Sequence, residues 1–136
     1  IQAGSGLIVS MVQQDAEGLA GDIRTFSQKH GLDLTLFLTL LRKMGFERSQ
    51  FARRLEELSS GQKKKALLAA SLATPAHLII WDEPLNYIDI LSRLQIEQLI
   101  CESGASMLFV EHDAAFVQNT ATRILRLSEE GQVIQP

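Results

Sequence analysis

The sequence predicts an α/β fold built on a parallel sheet, and three observations carry that prediction. From Gln62 to Val110 the pattern reads helix, strand, helix, strand, the order of parallel strands joined by right-handed crossovers. Two apolar runs end in reactive side chains: Leu78–Trp81 leads into Asp82-Glu83, and Ser106–Val110 leads into Glu111-His112-Asp113. Open α/β sheets present their chemistry at C-terminal strand ends, so Asp82, Glu83 and His112 are expected along one edge. Finally, an all-helical run from about Asp22 to Leu58 interrupts the alternation and reads as an inserted arm.

Composition narrows the class. A chain of 136 residues is long enough for one domain with a core. With 46% hydrophobic and 21% charged residues it is not a disordered chain. A net charge of −3 argues against a strongly basic nucleic-acid-binding face, while leaving local clusters of lysine and arginine open. The single cysteine, Cys101, excludes an internal disulfide and suits a reducing, cytoplasmic setting. No apolar run approaches the ~20 residues of a membrane span, and no signal peptide is visible. The chain opens on Ile1 without a methionine, so a piece of a longer protein is expected.

The elements follow in order. Gly4 and Gly6 bracket a turn before Leu7–Val12, a short run rich in β-branched residues that reads as a strand. Gln13-Gln14-Asp15 is its polar exit, and Glu17–Gly21 a loop. Asp22 caps a short helix over Ile23–His30, which Gly31 ends. Asp33 starts a second, with Leu34, Phe37, Leu38, Leu41 and Met44 at helical spacing and Gly45 closing it. A third short helix is expected over Ser49–Arg54. Leu58-Ser59-Ser60-Gly61-Gln62 opens the next helix, which runs to Ala73 and stops at Thr74-Pro75. Within it, Lys63, Lys64 and Lys65 read as a mostly solvated face. Asp89 or Ile90 begins a helix to about Glu102, with Leu91, Leu94, Ile96, Leu99 and Ile100 on or near its buried side and Gly104 as its stop. After the buried strand Ser106–Val110 come a short helix to Asn119 and a closing hairpin, Arg123–Leu127 with Gln132–Ile134.

Several residues carry chemistry by type and place. Asp82 at a strand end suits a hydrated Mg²⁺, which takes few carboxylate oxygens beside water and phosphate. Glu83, one residue on, can orient or deprotonate a water in phosphoryl transfer. Ser59 with Gln62 forms a capping box, and that alone accounts for the pair structurally. The same helix start offers backbone N–H groups and a positive dipole end to an anion.

Taken in order, Gln14, Leu58–Gln62, Asp82-Glu83 with Asp89 beyond, and His112 resemble the ATP-binding-cassette ATPase domain over nearly the whole chain. The resemblance implies a P-loop NTPase-like parallel sheet with an inserted helical subdomain, and ATP and Mg²⁺ as cofactors. It makes Gln14 the Q-loop glutamine, near metal or water, and Leu58–Gln62 the signature motif. Ser59, Ser60, Gly61 and Gln62 then face the γ-phosphate of ATP held by an opposite domain. Leu78–Asp82 becomes Walker B with Asp82 as metal partner, and Glu83 becomes the catalytic glutamate. Pro84–Asp89 covers the D-loop, with Asp89 on the nucleotide side, and His112 is the switch histidine, bonding a γ-phosphate oxygen. The implied division is a partial RecA-like core, 1–21 and 70–136, around a helical signature subdomain, 22–69.

The chain departs from the family pattern twice. The phosphate-cradling G-x-x-x-x-G-K-[ST] is absent, and Gly4-Ser5-Gly6 is no substitute, because no lysine follows and a strand comes next. The N-terminal Walker A portion is therefore lacking, and weak or absent ATP binding by the isolated chain is expected. Ser60 also stands where the usual L-S-G-G-Q has its first glycine, which restricts the backbone there.

Within the family, Asn86 resembles the ABC-F pattern E-P-T-N-x-L-D. Leu85 in place of threonine, with Trp81 before Asp82, resembles the C-terminal cassette of Gram-positive antibiotic-resistance proteins. That resemblance implies a second cassette in the same parent chain and the 50S ribosome as partners. The alternatives are the ATPase subunit of a transporter and a non-catalytic interaction module. Loss of the first strand should also expose apolar surface, so self-association of the fragment is expected.

Overall fold

The computed structural model describes residues 5–14 and 18–134. Gly4 of the expected first turn, and Asp15 and Glu17 after the first strand, lie outside the described residues. The elements run β1 (Val9–Val12), α1 (Ile23–Lys29), α2 (Leu34–Lys43), α3 (Ser60–Ala73), β2 (Leu78–Asp82), α4 (Ile90–Ser103), β3 (Met107–Val110) and α5 (Ala114–Thr120). A small hairpin, β4 (Arg126–Leu127) and β5 (Val133–Ile134), closes the described chain. The sheet order is β1-β2-β3, with both pairings parallel. The α/β class and the parallel sheet expected from the sequence are observed.

Caps explain most helix starts. Asp22, Asp33, Asp89 and Asp113 accept hydrogen bonds from the amides of Thr25, Leu36, Ser92 and Phe116 at 2.8–2.9 Å, satisfying donors that each first turn leaves unpaired. Gly104 ends α4 in the left-handed region, φ 60°, where a side chain would be strained. The third helix expected over Ser49–Arg54 is instead a 3-10 turn at Arg48–Ala52, followed by another at Leu55–Glu57. Two tight turns carry Leu55 into the core there.

The core lies where α3 packs against β1, with α2 packed on α3 and α1 on α2. Val12, Ile79 and Trp81 point into it, with Phe37, Leu41, Leu68, Ile96 and Phe116 among the buried side chains. Trp81 is wholly buried, and its indole N–H is satisfied: Nε1 donates to Ser71 Oγ at 3.1 Å, and Ser10 Oγ lies 3.1 Å from the same hydroxyl. One small polar chain thus joins β1, α3 and β2.

Three expectations about burial are corrected. Ser106–Val110 is not a fully buried strand, because Leu108 and Val110 are exposed, as are Val9 and Met11 on β1. Strict alternation places these side chains on the face away from the core, a face that parallel sheets ordinarily cover. On α4, Leu91 and Leu94 are exposed, whereas Ile96, Leu99 and Ile100 are buried. The helix carries apolar residues around more of its circumference than the core can cover.

The third correction concerns the lysine run. Lys64 is completely buried, and its Nζ donates to the carbonyls of Gln13 at 2.9 Å and Gln14 at 3.1 Å. Position 64 faces inward because α3 packs beside the exit of β1, and an ammonium group tolerates burial when carbonyl lone pairs receive its protons. Lys64→Ala should cost about 1.5–3 kcal/mol, the range for hydrogen bonds to a charged group. Lys63→Ala, on the outer side, should stay within about 0.5 kcal/mol. Urea unfolding of both variants checks this, and equal midpoints would contradict it.

Candidate active site

The site is assembled by strand register. Trp81 and Asp82 lie opposite Phe109 and Val110, so β2 and β3 end side by side. The Glu83 amide extends the ladder, donating to the Val110 carbonyl at 2.9 Å. The chain then turns sharply: Glu83 has φ 47°, in the left-handed region that non-glycine residues rarely adopt. Residues held in such conformations are concentrated at functional sites.

That turn sets the Glu83 carboxylate between two partners. Oε2 accepts from Asn86 Nδ2 at 2.8 Å, and Oε1 lies 3.4 Å from His112 Nε2. The Glu83 side chain is largely covered, whereas the imidazole is open to solvent. Two separate strand ends therefore meet at this pair. Asp82 is half-buried beside it, and its carboxylate has no ion-pair partner among the described residues.

Glu111 is a residue that sequence reading passed over. Its Oε1 accepts from the amides of His112 at 2.8 Å and Asp113 at 3.3 Å, and its Oε2 accepts from the Leu85 amide at 3.3 Å. One carboxylate thus ties the loop carrying His112 to the turn carrying Glu83. Arg93 of α4 pairs with Asp113 on the same loop. The available signal was an acid immediately before the histidine, but an acid in a polar loop has no distinguishing pattern.

The other candidates sit around this pair. Gln14 is exposed two residues beyond β1, on the same end of the sheet, with Lys64 holding its carbonyl. Ser59 and Gln62 form the reciprocal cap of α3: the Gln62 amide donates to Ser59 Oγ at 3.3 Å, and the Ser59 amide donates to Gln62 Oε1 at 3.0 Å. Both side chains are thus occupied by the helix start, as the capping-box reading expects. Ser60 is exposed beside them. Gly61 packs directly on the turn after β2, where a Cβ would fall 2.6 Å from the Tyr87 carbonyl oxygen. Tyr87 itself has φ 65°.

Asp89 caps α4, and Lys65 Nζ approaches its Oδ2 at 3.5 Å. The Ser92 hydroxyl and amide, with Lys65 beside them, hold the Asp89 carboxyl down at about 2. Adjacent lysines on α3 therefore reach opposite ways, Lys64 to the exit of β1 at Gln13 and Gln14 and Lys65 to Asp89 beyond the turn after Glu83.

Among the described residues no three of His, Cys, Asp and Glu gather as a metal cage. One carboxylate at a strand end, Asp82, fits an ion that keeps most of its ligands as water and phosphate, as Mg²⁺ does.

A family profile described as ABC transporter matches residues 5–86, more than half of the chain. The chain belongs to this family. The ribosome protection protein VmlR of Bacillus subtilis is 32% identical over 92 residues, which is 68% of this chain and 17% of that protein. ABC transporter F family member 5 of Arabidopsis thaliana is 29% identical over 90 residues, 66% of this chain and 13% of that one. This chain thus spans less than a fifth of the length of these relatives. Among solved structures, a model of ribosome-bound archaeal Pelota and ABCE1 aligns over 86% of this chain and 21% of its own, with 26% identity and a TM-score of 0.73. The cassette is related to ABC-F proteins, and its fold is that of cassette ATPase domains.

The low Asp89 value fixes a pH dependence. A folded-state value below the usual carboxylate range stabilises the protein above about pH 4, and that contribution is lost as pH falls through about 2. Asp89→Ala should cost about 1 kcal/mol near neutral pH, as loss of a helix cap does. The gap from the unmodified chain should narrow between about pH 4 and 2. Urea midpoints across that range measure it, and a gap that widens on acidification would contradict the assignment.

Proposed function

We propose that this chain is the C-terminal part of an ATP-hydrolysing cassette in an ABC-F protein that acts on the 50S ribosome in antibiotic resistance, in the cytoplasm. The observation that supports hydrolysis most strongly is the Glu83 carboxylate held between Asn86 and His112 at the paired strand ends. In that position Glu83 orients or deprotonates the attacking water, with Asn86 fixing its second oxygen. His112 faces the γ-phosphate, and Asp82 holds the hydrated Mg²⁺ with Gln14 nearby. When bound, Mg²⁺ neutralises charge developing on the phosphate oxygens.

The α3 N-terminus, Ser59 to Gln62, offers its remaining backbone N–H groups to ATP held by the second cassette of the same parent chain. Asp89 sets that helix start against the turn after Glu83. Residues 22–69 act as the helical signature subdomain and residues 1–21 with 70–136 as the partial RecA-like core. Ribosome action is supported by the printed names of the relatives: VmlR is a ribosome protection protein, and ABCE1 is ribosome-bound. Asn86 now has a second function beside its place in the ABC-F pattern, as the partner of Glu83.

The test uses the full-length parent. Glu83→Gln should keep ATP binding, slow hydrolysis by at least about 100-fold as loss of a general base does, and trap the protein on ribosomes in sedimentation with ATP. Co-purification with a permease and no sedimentation would overturn the ribosomal reading. Unchanged hydrolysis would overturn the role of Glu83. The 136-residue chain itself should bind Mg-ATP weakly and self-associate through its uncovered sheet face. Low-micromolar affinity by calorimetry, or a clean monomer by light scattering, would contradict those two expectations respectively.

A further inference from the structure

The net charge of −3 conceals a segregation. Of the 13 lysines and arginines, ten fall within residues 22–69, against five of the 16 aspartates and glutamates. That segment therefore carries +5 and the remainder of the chain −8. Its acids are largely engaged in the backbone. Asp22 and Asp33 cap helices, and Glu56 accepts from the Gly21 amide at 2.8 Å while pairing with Arg54. Glu47 and Glu57 are the other two. Among the described residues Arg24, Lys29, Arg42, Arg48 and Arg53 have no ion-pair partner.

Two of these arginines flank aromatic rings. Arg42, Phe46, Arg48 and Phe51 line an open cleft of about 510 Å³. The two rings lie 5.9 Å apart at 56°, and the Arg42 guanidinium sits 5.7 Å from the centre of Phe51. Phe46 is buried and fixed, whereas Phe51 is only partly covered. A half-covered ring beside cations matches a ligand that is both polyanionic and flat-faced. Single-stranded nucleic acid combines these properties, because its bases stack on aromatic rings and guanidinium planes while its phosphates meet arginine. An acidic peptide would use the charge and leave the ring without a stacking partner.

We infer that the cleft formed by Arg42, Phe46, Arg48 and Phe51 is a binding site for an unstacked nucleotide of single-stranded RNA. The choice of RNA rests on the ribosomal reading above. Charge draws the strand to residues 22–69, Phe51 takes one base on its open side, and Arg42 and Arg48 hold the flanking phosphates.

Fluorescence anisotropy with a labelled single-stranded RNA of about 12 nucleotides tests this on the 136-residue chain, from about 50 to about 200 mM salt. The double variant Arg42→Ala/Arg48→Ala should flatten the log–log salt dependence by about 1.4, at roughly 0.7 per phosphate contact on a single strand. Phe51→Leu keeps an apolar side chain but no ring, and should weaken binding about fivefold or more with its circular dichroism unchanged. Arg123→Ala/Arg126→Ala, in the hairpin, should bind like the unmodified chain. DNA of the same sequence and polyglutamate should bind more weakly than the RNA. The inference is overturned if the chain does not bind the RNA, if Phe51→Leu binds normally, or if polyglutamate or DNA binds equally well. None of these outcomes bears on ATP hydrolysis or on sedimentation of the parent, so a failure here leaves the cassette reading separately testable.

Discussion

The parallel pairing of β2 with β3 is the constraint on which the rest of the site depends. It sets Asp82 opposite Val110, and the Glu83 amide then closes on the Val110 carbonyl. A slip of one residue would turn every side chain of a strand to the opposite face, burying Asp82 in place of Trp81. Burial of Trp81, with its indole bonded to Ser71, therefore fixes the register that delivers the acids. Packing energy in the core is what positions chemistry at the rim.

Helix α3 extends that control sideways. Its wholly buried Lys64 holds the exit of β1, its Lys65 approaches Asp89, and its Gly61 leaves room for the Tyr87 carbonyl. Three positions within five residues thus contact two different loops of the site. Displacement of this helix start would be felt by Gln14 and by the turn after Glu83 together.

Much of this was legible in the sequence because periodicity and caps are local. The strand around Leu78–Trp81, the helix starts at Asp22, Asp33 and Asp89 and the stop at Gly104 follow from side chains acting on their own backbone. The juxtaposition of Glu83 with His112 was legible too, since parallel topology fixes which strand ends meet. Other features depend on tertiary packing that no local pattern encodes. Lys64 looks like its neighbours until α3 is laid against β1. Glu111 gains meaning only when Leu85 comes within reach of its carboxylate. The exposed Leu91 and Leu94 read as core because α4 is apolar on more sides than one. Glycine at 61 suggested phosphate approach, and the close neighbour in this chain is a backbone carbonyl.

The proposed place of a hydrated divalent ion is the carboxylate-lined edge where β2 and β3 end side by side. Mn²⁺ broadens the NMR signals of nuclei close to where it binds, even when binding is weak. The amides of Asp82, Glu83 and Leu85 and of Glu111 to Asp113 are expected to broaden first when Mn²⁺ is added to the chain, and Asp82→Asn should remove the effect. Broadening centred on the Glu129-Glu130 turn of the hairpin, or indifference to Asp82→Asn, would contradict it.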